Sequence, residues 1–452
     1  MNEQGALTKG RVASTLLRFT LPVLGANALQ TLYSLVDMLV VGQFADSAAL
    51  SAVSVASLVF VTITSLAVGL TAGGTVCIGR RIGAGARERA GEIAQTMFTL
   101  YFLIALGFTV LFFALARPML RLLNTPAEAM EQAVAYLQIC TGGLLFTFGF
   151  NAEAAVLRAD GDSRRPLLFV VVACAFNILG DLALVGGLHM GAPGAAIATM
   201  LGQGMSCAVG AVYLRKHNGL FDFRKSSFRL YGAHAAELLR VGVPMALQET
   251  LVMCSFMILE AVINRMGLTA SAAAGVVDKL FTVGVIPSSA FAASIAAMVA
   301  QNMGAGRTDR VKQCLGIGLG VSFAVGLAVA FWLGFAPASA MRIFTRDNEV
   351  IAAGCVYLTW YVLEYPLCSL AFPMAGLING CGHTRYTLLM SLLSTFAVRV
   401  PLVLLFCRFI PDAGLLHVGL ALPFASLLQV IMGAAFCIGG RWKRPPKTIK
   451  KA

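Results

Sequence analysis

The strongest constraint on this chain is a series of apolar runs, each long enough to cross a lipid bilayer. A membrane-spanning helix needs about 20 apolar residues, and only helices and closed barrels satisfy their backbone polar groups in lipid. Barrel strands alternate polar and apolar residues, whereas these runs are continuously apolar. They lie at 16–44, 48–79, 92–116, 132–157, 166–188, 193–214, 241–265, 270–300, 313–336, 352–378, 386–410 and 417–440. The sequence therefore predicts an all-α integral membrane protein with 12 transmembrane helices.

Composition favours lipid over water as the surrounding solvent. Of the 452 residues, 58% are hydrophobic and 12% are charged, whereas soluble domains have about 45–50% and about 25%. The net charge of +13 comes from basic residues in the gaps between apolar runs. No basic stripe interleaved with aromatic residues indicates a nucleic-acid partner. The 11 cysteines lie mostly inside apolar runs without a C-x-x-C pair, which favours helix packing over disulfides or metal sites.

The distribution of lysine and arginine predicts the orientation, because cytoplasmic loops carry an excess of both. Most of the 34 basic residues fall on the side of the predicted bilayer that also holds both termini. The C-terminal members of this group are Arg441, Lys443, Arg444, Lys447, Lys450 and Lys451. The other side holds Arg117, Arg121, Arg265, Arg342, Arg346 and Arg408. We therefore expect a multi-pass protein of the cell membrane, surrounded by membrane lipid, with both termini in the cytoplasm.

The two halves of the chain repeat each other at a nearly constant spacing. Residues 16–22 match 238–244 through a shared L-L-R-x-x-x-P pattern, and 83–85 match 304–306 through G-A-G. Each half holds an even number of predicted helices, so both enter from the same side and should be parallel repeats about an axis along the membrane normal. We expect six-helix bundles at 1–229 and 230–452, related by pseudo-two-fold symmetry. Two packed bundles with a path between them are typical of a transporter, and we expect it to act as a monomer.

Six segments in register resemble the multidrug and toxic compound extrusion (MATE) family. They are 81–85 and 301–306, similar to its signature after the second and eighth helices, 159–164 and 379–385, similar to its turns after the fourth and tenth, and 35–42 and 177–181, similar to its first and fifth helices. The resemblance covers nearly the whole chain. It implies a secondary active exporter that needs no cofactor besides a coupling ion, H⁺ or Na⁺. Lipophilic, often cationic small molecules would leave in exchange by alternating access.

Two acidic residues inside the predicted helices are the sharpest candidates for ion coupling. An ionised side chain at mid-bilayer costs at least about 2.5–3.5 kcal/mol, so it normally faces a cavity or a partner. Asp37 and Asp181 lie at similar predicted depths, and Asn177 is one helical turn from Asp181. Two close carboxylates cannot both stay ionised cheaply, so the pair could take a proton or act as ligands for Na⁺. The alternative is that both only hydrogen-bond neighbouring helices.

The family resemblance adds three residues to this candidate coupling site. MATE members with a cation site in the N-terminal half implicate Tyr33 and Thr199 beside the acidic pair. They also implicate Pro22, which would let the first helix bend. The glycine-containing turns that resemble those of the family are interpreted as hinges and helix caps rather than binding groups, because glycine lets a chain leave a helix in a left-handed conformation.

The C-terminal half has charged residues inside its predicted helices but no comparable acidic pair. The candidates for a cavity in this half are Glu249, Glu260, Asp278, Lys279, Glu364 and Arg399. Glu260 could pair with Arg265, and Arg399 needs an acidic or carbonyl partner that the sequence does not identify. Glu364 precedes Pro366 and could line a central cavity if its helix is kinked. In the N-terminal half, Glu153 is expected at the membrane surface.

The alternatives to an ion-coupled exporter are a flippase and an intramembrane enzyme. A flippase for lipid-linked saccharides, from the same broad superfamily, would be expected to have a strongly cationic cavity or additional helices. An enzyme would need a nucleophile and base or a metal-binding constellation, and no H-E-x-x-H, G-x-S-G, Walker motif or histidine cluster occurs. The sequence therefore favours ion-coupled export.

Overall fold

The computed structural model describes residues 5–123, 125–217, 219–410 and 414–443, apart from the side chains of Ser47 and Lys225. The C-terminal basic residues Arg444, Lys447, Lys450 and Lys451 of the orientation argument lie outside the described residues. Within the described ranges the chain forms helices and turns and has no β-strand. The predicted all-α membrane fold is confirmed.

Seven α-helices make up the N-terminal half of the structure. They are α1 (Val12–Phe44), α2 (Ser47–Gly83), α3 (Arg87–Leu122), α4 (Ala127–Gly142), α5 (Leu144–Asp160), α6 (Arg164–Asp181) and α7 (Gly191–His217). A π-helical segment, Leu182–Gly187, continues α6 without a break. A short 3₁₀ turn at Ala6–Thr8 precedes α1.

The C-terminal half repeats this order with small additions. Its helices are α8 (Gly232–Asn264), α9 (Leu268–Gly304), α10 (Thr308–Phe335), α11 (Pro337–Met341), α12 (Asn348–Tyr361), α13 (Glu364–Gly380), α14 (Thr384–Leu392), α15 (Val400–Phe409) and α16 (Leu415–Ile438). A π-helical segment, Leu393–Arg399, joins α14 to α15. Short 3₁₀ turns lie at Lys225–Ser227, before α8, and at Arg441–Lys443, after α16.

The described residues contain 10 helical segments long and apolar enough to cross a membrane, and up to 12 if each of two bent pairs is one span. The bent pairs are α4 with α5, at 45°, and α12 with α13, at 49°. The sequence predicted unbroken runs at 132–157 and 352–378, so these two spans differ from expectation by a sharp bend. Gly143 separates the first pair, and residues 362–363 separate the second.

Glycine turns join consecutive helices at one end of the bundle. Gly85, Gly161, Gly306 and Gly382 all have positive φ, between 71° and 96°, a region that L side chains enter only with strain. This is the capping role expected from the sequence. We call this end the basic face, because the arginines of these turns lie on it beside the start of α1.

The two halves are packed together at the basic face and separate beyond it. Near the basic face, α8 residues such as Leu238 and Val241 share one buried cluster with N-terminal helices, and Leu16 of α1 shares another with C-terminal helices. Nearer the opposite face, one buried cluster draws only on the N-terminal half and a second only on the C-terminal half. The structure is thus closed at the basic face and divided towards the opposite face.

Polar contacts between the halves extend from the basic face to the middle of the helices. At the basic face, Gln301 donates from Nε2 to the carbonyl oxygen of Ala159 at 2.6 Å. Arg81 forms an ion pair with Glu237 at 3.1 Å. Deeper in the bundle, the hydroxyl groups of Ser65 and Thr250 lie 3.0 Å apart. These bonds would have to break if the basic face opened.

Two glycines let the halves approach closely enough for this closure. A Cβ atom on Gly83 would overlap the carbonyl oxygen of Gln301, and one on Gly304 would overlap the carbonyl oxygen of Arg80. Both obstacles are backbone atoms, which cannot rotate away. The absence of a side chain at each position is therefore a condition for closing the basic face.

We expect Gly83→Ala to destabilise the closed arrangement by about 1–3 kcal/mol, the usual cost of overpacking a close contact. Spin labels at the exposed basic-face positions Lys216 and Lys312 would report a longer distance in the variant. Gly316→Ala is the matched control, because a Cβ there meets nothing within 4 Å. An unchanged distance in Gly83→Ala would contradict this role of the glycine.

Candidate functional site

Two carboxyl groups from different helices meet inside the N-terminal half. The side chains of Asp37 on α1 and Asp181 at the end of α6 approach within hydrogen-bonding reach of each other. Asp181 is 0% exposed, and neither of its carboxyl oxygens accepts a hydrogen bond from a donor among the described residues. Adjacent carboxyls without a cationic side chain must share a proton or hold a cation. The structure thus brings together the two acids singled out in the sequence.

The local structure of α6 explains how Asp181 enters this contact. The helix changes from α to π geometry directly after Asp181, and π segments are frequent at functional sites. Directly before Asp181, Gly180 packs against Ala198 of α7 so closely that a Cβ would lie 2.8 Å from the alanine methyl. This contact fixes α6 against α7 at the depth of the acidic pair.

Oxygen and nitrogen groups surround the acidic pair. Asn177, one turn before Asp181, donates from Nδ2 to the hydroxyl of Thr199 on α7 at 3.2 Å, and its own Oδ1 is buried without a donor. Tyr33 of α1 lies near Asp37. The carboxylate, amide and hydroxyl oxygens gathered here are of the type that hard cations such as Na⁺ prefer.

One member of this group was not among the residues predicted from the sequence. Tyr136 of α4 is 3% exposed and lies near both Asp37 and Tyr33. The only signal in the sequence was a hydroxyl inside an apolar run, and α4 contributes a site residue because it packs beside α7.

Pro22 lies inside α1, which is continuous from Val12 to Phe44 in this structure. Proline lacks an N–H group, so it leaves a carbonyl in the preceding turn without its helical partner. The proline lies roughly 22 Å from Asp37 along the helix at about 1.5 Å per residue. A small change of angle at Pro22 would therefore displace the Asp37 carboxyl sideways by several ångströms.

The C-terminal half contains a buried ion pair that the sequence did not reveal. Arg399 lies 3.7 Å from the carboxylate of Glu364, and the two residues are 4% and 0% exposed. The hydroxyl of Ser426 donates to Glu364 at 2.7 Å. The guanidinium also lies 4.7 Å from the ring centre of Phe256 and donates to Ser255 at 3.4 Å. Glu364 is thus the partner that Arg399 lacked in the sequence analysis.

The six candidate residues for a C-terminal cavity differ in their exposure. Glu249, Glu260 and Lys279 are exposed and Asp278 is half-buried, whereas Glu364 and Arg399 are buried inside the half. Glu364 lies at the predicted kink, where α12 and α13 meet at 49°, and its carboxylate faces Arg399. The ion pairs among the described residues do not include the expected pair between Glu260 and Arg265.

The remaining acids of α8 lie on one stripe of that helix. Glu249 and Glu260 are about three helical turns apart, which places them on the same face. A different face exposes Val243, Leu247 and Ile258, which suits contact with lipid tails. The acidic stripe thus faces away from the most apolar exposed surface of α8.

Comparisons with known proteins agree with this architecture. The MatE family model matches residues 22–183 and 244–405. The chain is 29% identical over 436 residues to the probable multidrug resistance protein YpnP of Bacillus subtilis, which covers 96% of this chain and 97% of that protein. It is 23% identical over 441 residues to the probable multidrug resistance protein NorM of Thermotoga maritima, with 96% and 94% covered.

Among solved structures, an outward-facing multidrug resistance MATE family transporter of the MOP superfamily has a similar fold. The TM-score is 0.90 at 22% identity, and the likeness covers 100% of both chains. The two segments matched by the family model fall one in each half of the structure and together span well over half of the chain. The chain therefore belongs to the MatE family and is a membrane transporter, not an enzyme.

Proposed function

We propose that this protein is a secondary active multidrug exporter in which H⁺ or Na⁺ moves inward as lipophilic, often cationic small molecules move outward. The observation that carries this proposal is the contact between Asp37 and Asp181. Two carboxyls without a cationic partner form a site that must be filled by a proton or a metal cation. A site of this kind is what ion coupling requires.

The geometry supports a link between ion occupancy and the conformation of the two halves. Asp37 belongs to α1, and α1 also packs along α9 of the other half. Neutralising the acidic pair would remove the repulsion between α1 and α6, so a proton or Na⁺ would favour one arrangement of α1 over another. Pro22 would provide the point at which α1 changes direction.

The acidic residues inside the helices support the proposal that the transported molecule is a cation. Asp37, Glu249, Glu260 and Asp278 lie inside the long apolar helices α1, α8 and α9. A cleft lined by one sign of charge raises the local concentration of the opposite charge. The names of relatives such as YpnP and NorM agree with multidrug export.

We further propose that the basic face is cytoplasmic, with both termini on that side of the cell membrane, and that the protein acts as a monomer. The arginines at the turns of the basic face support this orientation through the positive-inside rule. We keep the division of the chain into 1–229 and 230–452. The boundary falls in the segment between α7 and α8.

The test is efflux of a fluorescent lipophilic cation from proteoliposomes, with ΔpH and ΔNa⁺ imposed separately. We expect one gradient to drive efflux and its collapse by an ionophore to stop it. Efflux that needs neither gradient, or no efflux across a panel of cations, would contradict the proposal. Transport of lipid-linked saccharides instead would favour a flippase.

A further inference from the structure

A second carboxyl group, outside the acidic pair, is enclosed in the N-terminal half. Glu153 on α5 is 0% exposed, because α5 is packed between α2, α3 and α7. This corrects the expectation that it lies at the membrane surface. Its one hydrogen bond comes from the thiol of Cys207 on α7, at 3.5 Å, and Oε2 has no donor. The described residues provide no ion pair to Glu153, so its enclosed carboxyl is most stable with a proton.

Polar side chains connect Glu153 to the acidic pair. Thr199, Gln203 and Cys207 follow one another at every fourth position of α7, which places them in one row on the helix surface. The row begins at Thr199, which is bonded to Asn177 beside Asp181, and ends at Cys207, which is bonded to Glu153. It spans roughly 12 Å at about 1.5 Å per residue.

The row faces the interior of the N-terminal half rather than lipid. On one side of it, Gly202 of α7 packs against Ala173 of α6, and on the other, Gly149 of α5 meets the sulfur of Cys207. The row therefore lies between α5 and α6. Its three members are half-buried.

Several polar atoms along this line have no protein partner. They are buried oxygens of Asp181, Asn177, Gln203 and Glu153. Buried polar atoms are rarely left without a hydrogen bond, and ordered water is the usual partner when protein atoms are not. The concentration of such atoms along one line points to a chain of water molecules between the two carboxyl sites.

We propose that Glu153 is a proton-carrying site that links the Asp37–Asp181 pair to the basic face, and that the coupling ion is therefore H⁺. This inference rests on the proposed antiport function and deepens it. A proton leaves the acidic pair, passes along water and the Thr199–Gln203 row, and binds the Glu153 carboxylate. It then leaves Glu153 for the basic face, so no proton is gained or lost by the protein over a cycle.

The surroundings of Glu153 favour a proton over a metal ion. Among the described residues its hydrogen-bond partner is the thiol of Cys207, and both its carboxyl group and the Phe169 ring lie against Gly210 of α7, whereas a metal cation needs several oxygen ligands. Towards the basic face, the rings of Phe169 and Tyr213 meet edge to face at 6.2 Å. Arg165 lies 5.5 Å from the Tyr213 ring centre. These rings separate Glu153 from the basic face in this conformation.

Glu153→Gln tests the proposal, because glutamine keeps the shape of the side chain but cannot release a proton. In proteoliposomes containing the full chain, a gradient of a fluorescent lipophilic cation would be imposed and proton movement followed with a pH-sensitive dye. We expect Glu153→Gln to bind the cation with unchanged affinity and to move protons at least tenfold more slowly. Glu153→Asp should restore part of the rate.

Two further variants keep the test decisive. Gln203→Leu removes the polar group in the middle of the row and should also slow proton movement. This variant replaces Glu153→Gln in the test if Glu153→Gln does not fold. Glu131→Gln is the matched control, since this exposed carboxylate pairs with Arg117 far from the row, and its rate should equal that of the wild type. Infrared difference spectra should show a protonated carboxyl band that changes on substrate addition and is missing in Glu153→Gln.

The outcomes separate this inference from the proposed function. Wild-type proton coupling together with an unaltered rate in Glu153→Gln would overturn the role of Glu153 and leave the antiporter standing. Coupling to Na⁺ without proton movement would also overturn it while leaving ion-driven export intact. Wild-type protein that moves no ion with substrate would contradict the proposed function and this inference together.

Discussion

Arg399→Leu should lower the free energy of unfolding by about 3–5 kcal/mol, the usual cost of removing one partner from a buried ion pair. Glu364 is 0% exposed, so without Arg399 its carboxylate would be left uncompensated inside the C-terminal half. The hydroxyl of Ser426 would remain, but one neutral donor does not replace a guanidinium. Unfolding of the purified full chain in detergent, by heat or denaturant, measures the effect.

A double variant separates loss of the pair from loss of packing. Glu364→Met with Arg399→Leu replaces both charges by apolar groups, and such replacements are often neutral or stabilising. We expect it to recover most of the stability that Arg399→Leu loses. The exposed Arg342→Leu is a control that should stay within about 0.5 kcal/mol of the wild type. Equal destabilisation in the single and double variants would contradict the account of the pair.

Asp181→Asn should abolish ion-driven efflux, and Asp37→Asn should do the same. An amide cannot take up and release a proton, and replacing one carboxylate removes a charge that a bound Na⁺ would need. Asparagine has nearly the same shape as aspartate, so the buried site should keep its packing. The measurement is efflux of a fluorescent lipophilic cation under the gradient that drives the wild type.

Asp309→Asn is the matched control for these variants, because Asp309 is exposed in the first turn of α10. It should export at the wild-type rate. Full ion-driven efflux in Asp181→Asn would mean that the acidic pair only joins α1 to α6. Size-exclusion chromatography and thermal unfolding of the variant would distinguish loss of folding from loss of coupling.

The features that the sequence predicted well are those set by local physical chemistry. Long apolar runs must be helical in lipid, so the helical class and the order of the spans could be read directly. The glycines at 85, 161, 306 and 382 could be recognised as turns, because positive φ is a property of the residue itself. The correspondence between the two halves could also be predicted, because the internal repeat is a pattern of residues along the chain.

The bends and the buried partners could not be predicted, because they depend on how distant helices pack. Nothing in the apolar run 132–157 required a break at Gly143. The contact between Glu364 and Arg399 joins α13 to the π-helical segment before α15. Their separation along the chain gives no indication that they meet.

Glu153 shows the same limitation on the N-terminal side. Its position near the cytoplasmic end of the fourth predicted helix suggested the membrane surface. Packing of α5 between three other helices instead places its carboxyl in the interior. The depth of a residue along a helix can be estimated from sequence, but the direction in which its side chain points within the bundle cannot.

The most direct test of antiport is the reverse exchange, in which a substrate gradient is imposed across proteoliposomes without any ion gradient. We predict that outward flow of a lipophilic cation will drive inward movement of H⁺, recorded by a pH-sensitive dye, and that Asp181→Asn will not show it. Substrate flow that moves neither H⁺ nor Na⁺ in the opposite direction would contradict the account.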